Sequence, residues 1–131
     1  MRGRITISSG APWEEVAGYS RAVRVGDTIH VAGTTATDSA GEVIGVGDAY
    51  AQTRACITKI ERALQEAGAS LSDVVRTRMF VVDIDQWETI SQAHREAFGD
   101  VRPAATLVEV SRLIDPYMII EIEAVAMVPS G

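Results

Sequence analysis

The run Tyr117-Met-Ile-Ile-Glu-Ile-Glu-Ala-Val-Ala-Met-Val restricts what this chain can fold into more than any other segment. Its branched side chains and strict alternation predict a strand over residues 118–128. Successive side chains of a strand point to opposite faces of the sheet. Ile120, Ile122, Ala124 and Ala126 therefore share one face, and Glu121, Glu123, Val125 and Met127 share the other. The first face is wholly apolar. The second mixes carboxylates with apolar groups. A sheet built on this strand needs a cover on one face and a partner on the other.

The rest of the sequence supplies a single cover. Asp48 can cap a helix running to about residue 67. In it Cys56, Ile57, Ile60, Ala63, Leu64 and Ala67 recur at helical spacing, and Gly68 ends it in the left-handed conformation. Asp85 opens a second helix, with Glu88 completing a capping-box pair. That helix presents Trp87, Ile90, His94 and Ala97 or Phe98 on one side, and Pro103 stops any continuation. Strands are expected over 4–7, 21–25, 28–33, 73–82 and 105–110. Gly26-Asp27 turns the second into the third. Residues 8–20 and 34–47 carry loop chemistry, with a short strand near 42–44. The order β-β-β-α-β-α-β-β predicts an α+β fold. It has a single mixed sheet with two helices on one face, and the other face is left for a second copy.

The 131 residues suit one domain, 1–131, with 47% hydrophobic and 23% charged residues. Cys56 is the single cysteine, so no intrachain disulfide forms. The N-terminus has two arginines with no long apolar run behind them, and no stretch is long and apolar enough to span a bilayer. The expected location is the cytoplasm, without membrane attachment. A net charge of −6 and a 5% aromatic content disfavour nucleic acid as a partner. The basic residues Arg76 and Arg78 alternate on one strand and form no larger cluster. His30 and His94 lack ligand spacing and acidic or cysteine neighbours, so no metal site is expected.

Several stretches carry a resemblance to a known family. They are Arg102-Pro-Ala-Ala-Thr-Leu-Val-Glu-Val-Ser-Arg-Leu and Ile119-Ile-Glu-Ile-Glu-Ala-Val-Ala, with Gly18-Tyr-Ser-Arg-Ala-Val, Val31-Ala-Gly, the helix over 52–68 and Arg78-Met-Phe-Val-Val-Asp. In this order and spacing the chain resembles the RidA/YjgF family, also called L-PSP. The resemblance implies a chorismate-mutase-like homotrimer with small-molecule clefts at subunit boundaries. It also implies cofactor-free hydrolysis of reactive enamines and imines to a keto acid and ammonia. It places a water-orienting glutamate at Glu121, a pocket tyrosine at Tyr19 and a backbone glycine at Gly33, with Thr34 beside it. The family's carboxylate-binding arginine falls at Ala105, beside Thr106. The cysteine that some members carry near the cleft falls at Leu107.

Imine hydrolysis needs a protonated nitrogen, a held water and a partner for developing charge. A half-dry glutamate can hold that water, because burial lifts its pKa. Periodicity alone reads Glu121 and Glu123 as solvated residues on an outer face; the resemblance reverses this for Glu121 only. A 2-imino acid also carries a carboxylate, which arginine grips through two parallel hydrogen bonds. A bond to a charged group contributes about 1.5–3 kcal/mol, and alanine offers none. Arg102 and Arg112 are poor replacements, since family members have them beside the arginine. Thr106 offers a hydroxyl suited to a neutral or differently shaped ligand. The expected function is thus an imine or enamine deaminase acting on something other than a simple 2-imino acid. The alternative is a trimer that binds a small molecule and has lost catalysis. Tyr19 alone reads as a loop surface residue, Gly33 as relief of crowding, and Cys56 as core. Ser91 and His94 are further candidates for the cleft.

Overall fold

The computed structural model describes residues 3–129. The N-terminal reading above rests partly on residues 1 and 2, which lie outside the described residues. A six-stranded sheet has the order β1-β2-β3-β6-β4-β5, with β1 Arg4–Ile7, β2 Ala22–Val25, β3 Thr28–Thr35, β4 Val74–Val81, β5 Ala104–Glu109 and β6 Ile120–Met127. β4 and β5 run parallel and the other neighbours antiparallel, so the sheet is mixed, as expected. Gly26, at φ 61°, makes the tight turn between β2 and β3.

β6 divides as its alternation requires. Ile120, Ile122, Ala124 and Ala126 are buried, while Glu121, Glu123 and Val125 are half-buried and Met127 is exposed. The buried set packs on α2, Ala49–Glu66, which contributes Cys56, Ile57, Ile60, Ala63 and Leu64, and on α3, Trp87–Phe98, which contributes Ile90 and Phe98. Ile29, Val31, Val74, Met79 and Val81 extend this core across β3 and β4. The Asp48 side chain caps α2 by accepting from Ala51 N at 2.9 Å, and Gly68 takes φ 87° beyond its end.

Three expectations need correction. Residues 8–20 are not all loop: Pro12–Ala17 form a six-residue helix, α1. Pro12 presets its first turn, and Glu14 accepts hydrogen bonds from the Ser8 and Ser9 hydroxyls and from Ser9 N. This third helix buries only Glu14, so it leaves the second sheet face uncovered. The second helix is not capped at Asp85. A short 3-10 turn, Ile84–Gln86, precedes α3, and Asp83 accepts from Asp85 N at 3.0 Å. Trp87, expected on the buried stripe, is exposed at the start of α3. Near 42–44 there is a single bridge, Thr37 to Val43, where a short strand was expected.

The helix-free face carries Val23, Val25, His30, Arg76, Arg78, Phe80, Glu121, Glu123, Val125 and Met127 by the pairing register. Val25 and Met127 are each 51% exposed there, an apolar surface with nothing over it in one subunit.

Candidate functional site

The bulge in β3 organises one half of the site. Pairing with β6 slips between Val31 and Thr34, which inserts an extra residue and re-aims the strand. Gly33 sits in this bulge. A Cβ there would lie 2.0 Å from Oε2 of Glu121, so the carboxylate rests on the space that a side chain would fill. Glu121 stands opposite Thr35 of β3 and Phe80 of β4. Burial raises its pKa above the ordinary carboxylate value, the charge of Glu123 adds to this, and Arg21 opposes it. Two of the expected residues are therefore in direct apposition.

Arg21 is the residue that sequence reasoning missed. It is only 7% exposed. Its backbone is pinned on both sides, with Arg21 N donating to Ile7 O and Ala32 N donating to Arg21 O. Its Nη2 donates to Gly33 O at 2.6 Å, and its Cζ lies 5.9 Å from the centre of the Tyr19 ring. The Nε is buried without a hydrogen-bond partner. A lone arginine at the start of a strand normally snorkels to solvent. The available signal was its place beside Gly18-Tyr-Ser and two residues of an apolar strand, Ala22 and Val23. Glu14 fixes the same region, because its backbone oxygen accepts from both Gly18 N and Tyr19 N at 2.9 Å. Gly18 allows this turn with φ 75°. Burial pushes the Glu14 carboxyl up, but bonds from Ser9 and Ser8 and the charge of Arg21 outweigh it and lower the pKa. Tyr19 also borders a groove of about 410 Å³ on the helix-free face, along with His30, Arg76, Arg78 and Glu123.

Ala105 and Thr106 lie elsewhere. On the edge strand β5 they pair with Thr77 and Arg78 of β4. Together with Met79, Ser91, His94 and Leu107 they line a hollow of about 220 Å³ that contains no lysine or arginine. Nε2 of His94 lies 2.9 Å from Oγ1 of the buried Thr77, and its ring stacks obliquely 4.7 Å from Phe98. Burial lowers the His94 pKa, which favours the neutral imidazole. Neither Arg102, at φ 53°, nor Arg112 lines this hollow.

The remaining candidates fill structural positions within the subunit. Thr34 is fully buried and its hydroxyl donates to Ala32 O at 2.8 Å, closing the bulge on itself. Glu123 pairs with Nε of Arg78 at 2.9 Å. Glu109 accepts from Ile84 N. Cys56 is buried, its thiol contacts Ile120 O, and burial pushes its pKa up to about 12, so it is no nucleophile. Among the described residues no cluster of three metal-ligating side chains occurs, and no helix is long and apolar enough to cross a membrane.

Comparison with known proteins identifies the family. The family described as Endoribonuclease L-PSP matches residues 10–128. The chain is 36% identical to the 3-aminoacrylate deaminase RutC of Acinetobacter baylyi, over 98% of this chain and 100% of that one. A RutC family protein of Pyrococcus abyssi is 38% identical over 96% of this chain and 98% of its own. The solved structure of Rv2704 from Mycobacterium tuberculosis, a member of the YjgF/YER057c/UK114 family, superposes with a TM-score of 0.88 at 47% identity. It covers 96% of this chain and 100% of that chain. With a family model matching almost the whole chain and relatives at 36% and 38% identity over nearly all of it, the chain belongs to the L-PSP family, also known as RidA/YjgF.

Proposed function

We propose that the protein is a small-molecule hydrolase that deaminates a reactive imine, enamine or related carbonyl compound in clefts between the copies of a homotrimer. The observation that carries this reading is the half-buried carboxylate of Glu121 lying over the bare backbone of Gly33. The relative named 3-aminoacrylate deaminase supports it. Within one subunit, Tyr19, Gly33 and Glu121 gather on one side of the sheet. Ala105, Thr106, Ser91 and His94 gather at a separate hollow by the edge strand. Neighbouring copies would bring the two groups together, and the uncovered apolar surface around Val25 and Met127 gives them reason to associate. The trimer works without a bound cofactor and inside the cell in this reading.

In the reaction, Glu121 accepts a hydrogen bond from water and takes its proton as the oxygen attacks the protonated C=N carbon. The proton then passes to nitrogen, the C–N bond breaks, and ammonia leaves as Glu121 takes the hydroxyl proton and the carbonyl forms; that proton is then released to ammonia or solvent. Gly33 keeps the approach open because it has no side chain. Thr34 serves by shaping the bulge. Within the subunit no lysine or arginine lines the hollow at Ala105, and Arg21 is already committed to Gly33 O. The loss of a charge-assisted bond of about 1.5–3 kcal/mol corresponds to roughly ten- to more than a hundredfold in turnover. The favoured substrate therefore presents an uncharged group to Ala105, Thr106, Ser91 and neutral His94.

Ammonia release from a panel of enzymatically generated imines tests this reading. Glu121→Gln should abolish turnover and leave the sedimentation behaviour of the trimer unchanged. Full turnover by that variant would remove Glu121 from the chemistry. Robust hydrolysis of 2-iminopropanoate by the native protein would refute the uncharged-group specificity. A stable monomer at micromolar concentration would remove the shared cleft altogether. The cation-free hollow at Ala105 also favours a second reading, a trimer that binds without catalysing. In that case no panel member yields ammonia, and Glu121→Ala changes only affinity.

A further inference from the structure

We propose a second small-molecule site, for an organic monocarboxylate with a flat apolar body, on the helical side of the subunit between α1, the loop after β3 and the outer face of α2. It shares no lining residue with either half of the cleft described above and does not depend on that reading. The cavity measures about 440 Å³, within the usual range for small-ligand sites. Trp13 and Ile44 form apolar walls, and they are 43% and 40% exposed in the subunit. Lys59 and Arg62, one helical turn apart on α2, line the opposite side.

These cations have no carboxylate counterpart. Among the described residues the salt bridges join Arg54 to Glu96 and Arg78 to Glu123, and neither includes Lys59 or Arg62. The Lys59 ammonium donates to Thr35 O and Thr37 Oγ1, each at 2.8 Å, which leaves one of its three N–H groups for another acceptor. It is half-buried, and burial lowers its pKa, so a bound anion would restore favourable charge there. Two cations without a salt-bridge partner, beside an exposed indole, supply the charge and the flat surface that an aromatic carboxylate needs. Asp38 also lines the cavity, with Oδ1 accepting from Ala40 N and Glu42 N. Its fixed negative charge disfavours dianions such as phosphate. The indole and Ile44 favour a planar hydrocarbon body.

trans-Cinnamate is the probe, trans-cinnamamide the neutral control and inorganic phosphate the competitor. Trp13 and Trp87 are the two tryptophans, so in a Trp87→Phe background the indole N–H resonance reports on Trp13 alone. Cinnamate should shift that resonance saturably, and Lys59→Met should weaken binding by roughly tenfold or more. Lys59→Arg should retain binding, which separates charge from folding effects. The proposal is overturned if cinnamate leaves Trp13 unmoved, if cinnamamide binds as tightly, or if phosphate displaces cinnamate at equal concentration.

Discussion

The two faces of the sheet are made by the same strands and have opposite character. On the helix side, alternate residues of β6 are sealed: Ile120, Ile122 and Ala126 have no exposure. On the other side the intervening residues of that strand are Glu121, Glu123, Val125 and Met127, and they keep part of their surface open. One face is dry and filled by side chains that can only pack. The other holds Glu121, whose pKa is raised by burial and by the charge of Glu123, a perturbation of the kind that functional carboxylates show. A single strand of period two thus carries the packed core and the candidate reactive carboxylate at adjacent positions.

The contrast can be broken most forcefully from the dry side. Ile122→Ala should cost about 2–5 kcal/mol of stability in denaturant unfolding, because the fully buried site cannot collapse around the lost atoms. A cost under about 1 kcal/mol would mean the core is less tightly packed than its burial indicates.

Arg21 crosses between the two regimes. Arg21→Met should cost about 1–3 kcal/mol by leaving Gly33 O without its donor. It should also raise the Glu121 pKa further, since Arg21 opposes the effect of burial. Carbon-detected NMR titration of the glutamate carboxyls reads this shift, and an unchanged Glu121 titration would separate the two residues electrostatically.

His94 sharpens the comparison through pH. Its folded pKa lies below the ordinary value of about 6.5 because burial penalises the charged ring. Its contribution is therefore complete above that value and is lost as pH falls through the lowered pKa. Relative to His94→Gln, the native protein should lose stability between about pH 6.5 and the folded pKa; parallel unfolding curves would contradict the burial.

The smallest effect belongs to the open face. Arg78→Ala should change the subunit's stability by about 0–1 kcal/mol, since its bond to Glu123 is solvent-screened. A larger loss that depends on protein concentration would show Arg78 buried between copies.

Some parts of this arrangement were legible because they follow local rules. The division of β6 into two faces needs only the two-residue period of a strand. The α2 helix announces itself through the Asp48 cap, its apolar stripe and Gly68. Other parts rest on specific side-chain contacts that periodicity does not encode. The α1 helix depends on Ser8 and Ser9 reaching Glu14, and the α3 start depends on Asp83 closing a 3-10 turn two residues before Asp85. Gly33 was readable as a glycine with some purpose, but the Glu121 carboxylate lying over it is 88 residues away in sequence (121 − 33).

The sequence by itself determined the alternation of β6 and the two principal helices, because hydrophobic periodicity acts over a few residues, and strands separated by those helices pointed to the mixed sheet. The tertiary structure decided that Arg21 is buried beneath Tyr19 and Gly33, that Glu121 leans on the β3 bulge, and that Ala105 shares a hollow with His94 rather than with Glu121. Those outcomes depend on strand order and on one register slip, which set neighbours that no local pattern encodes.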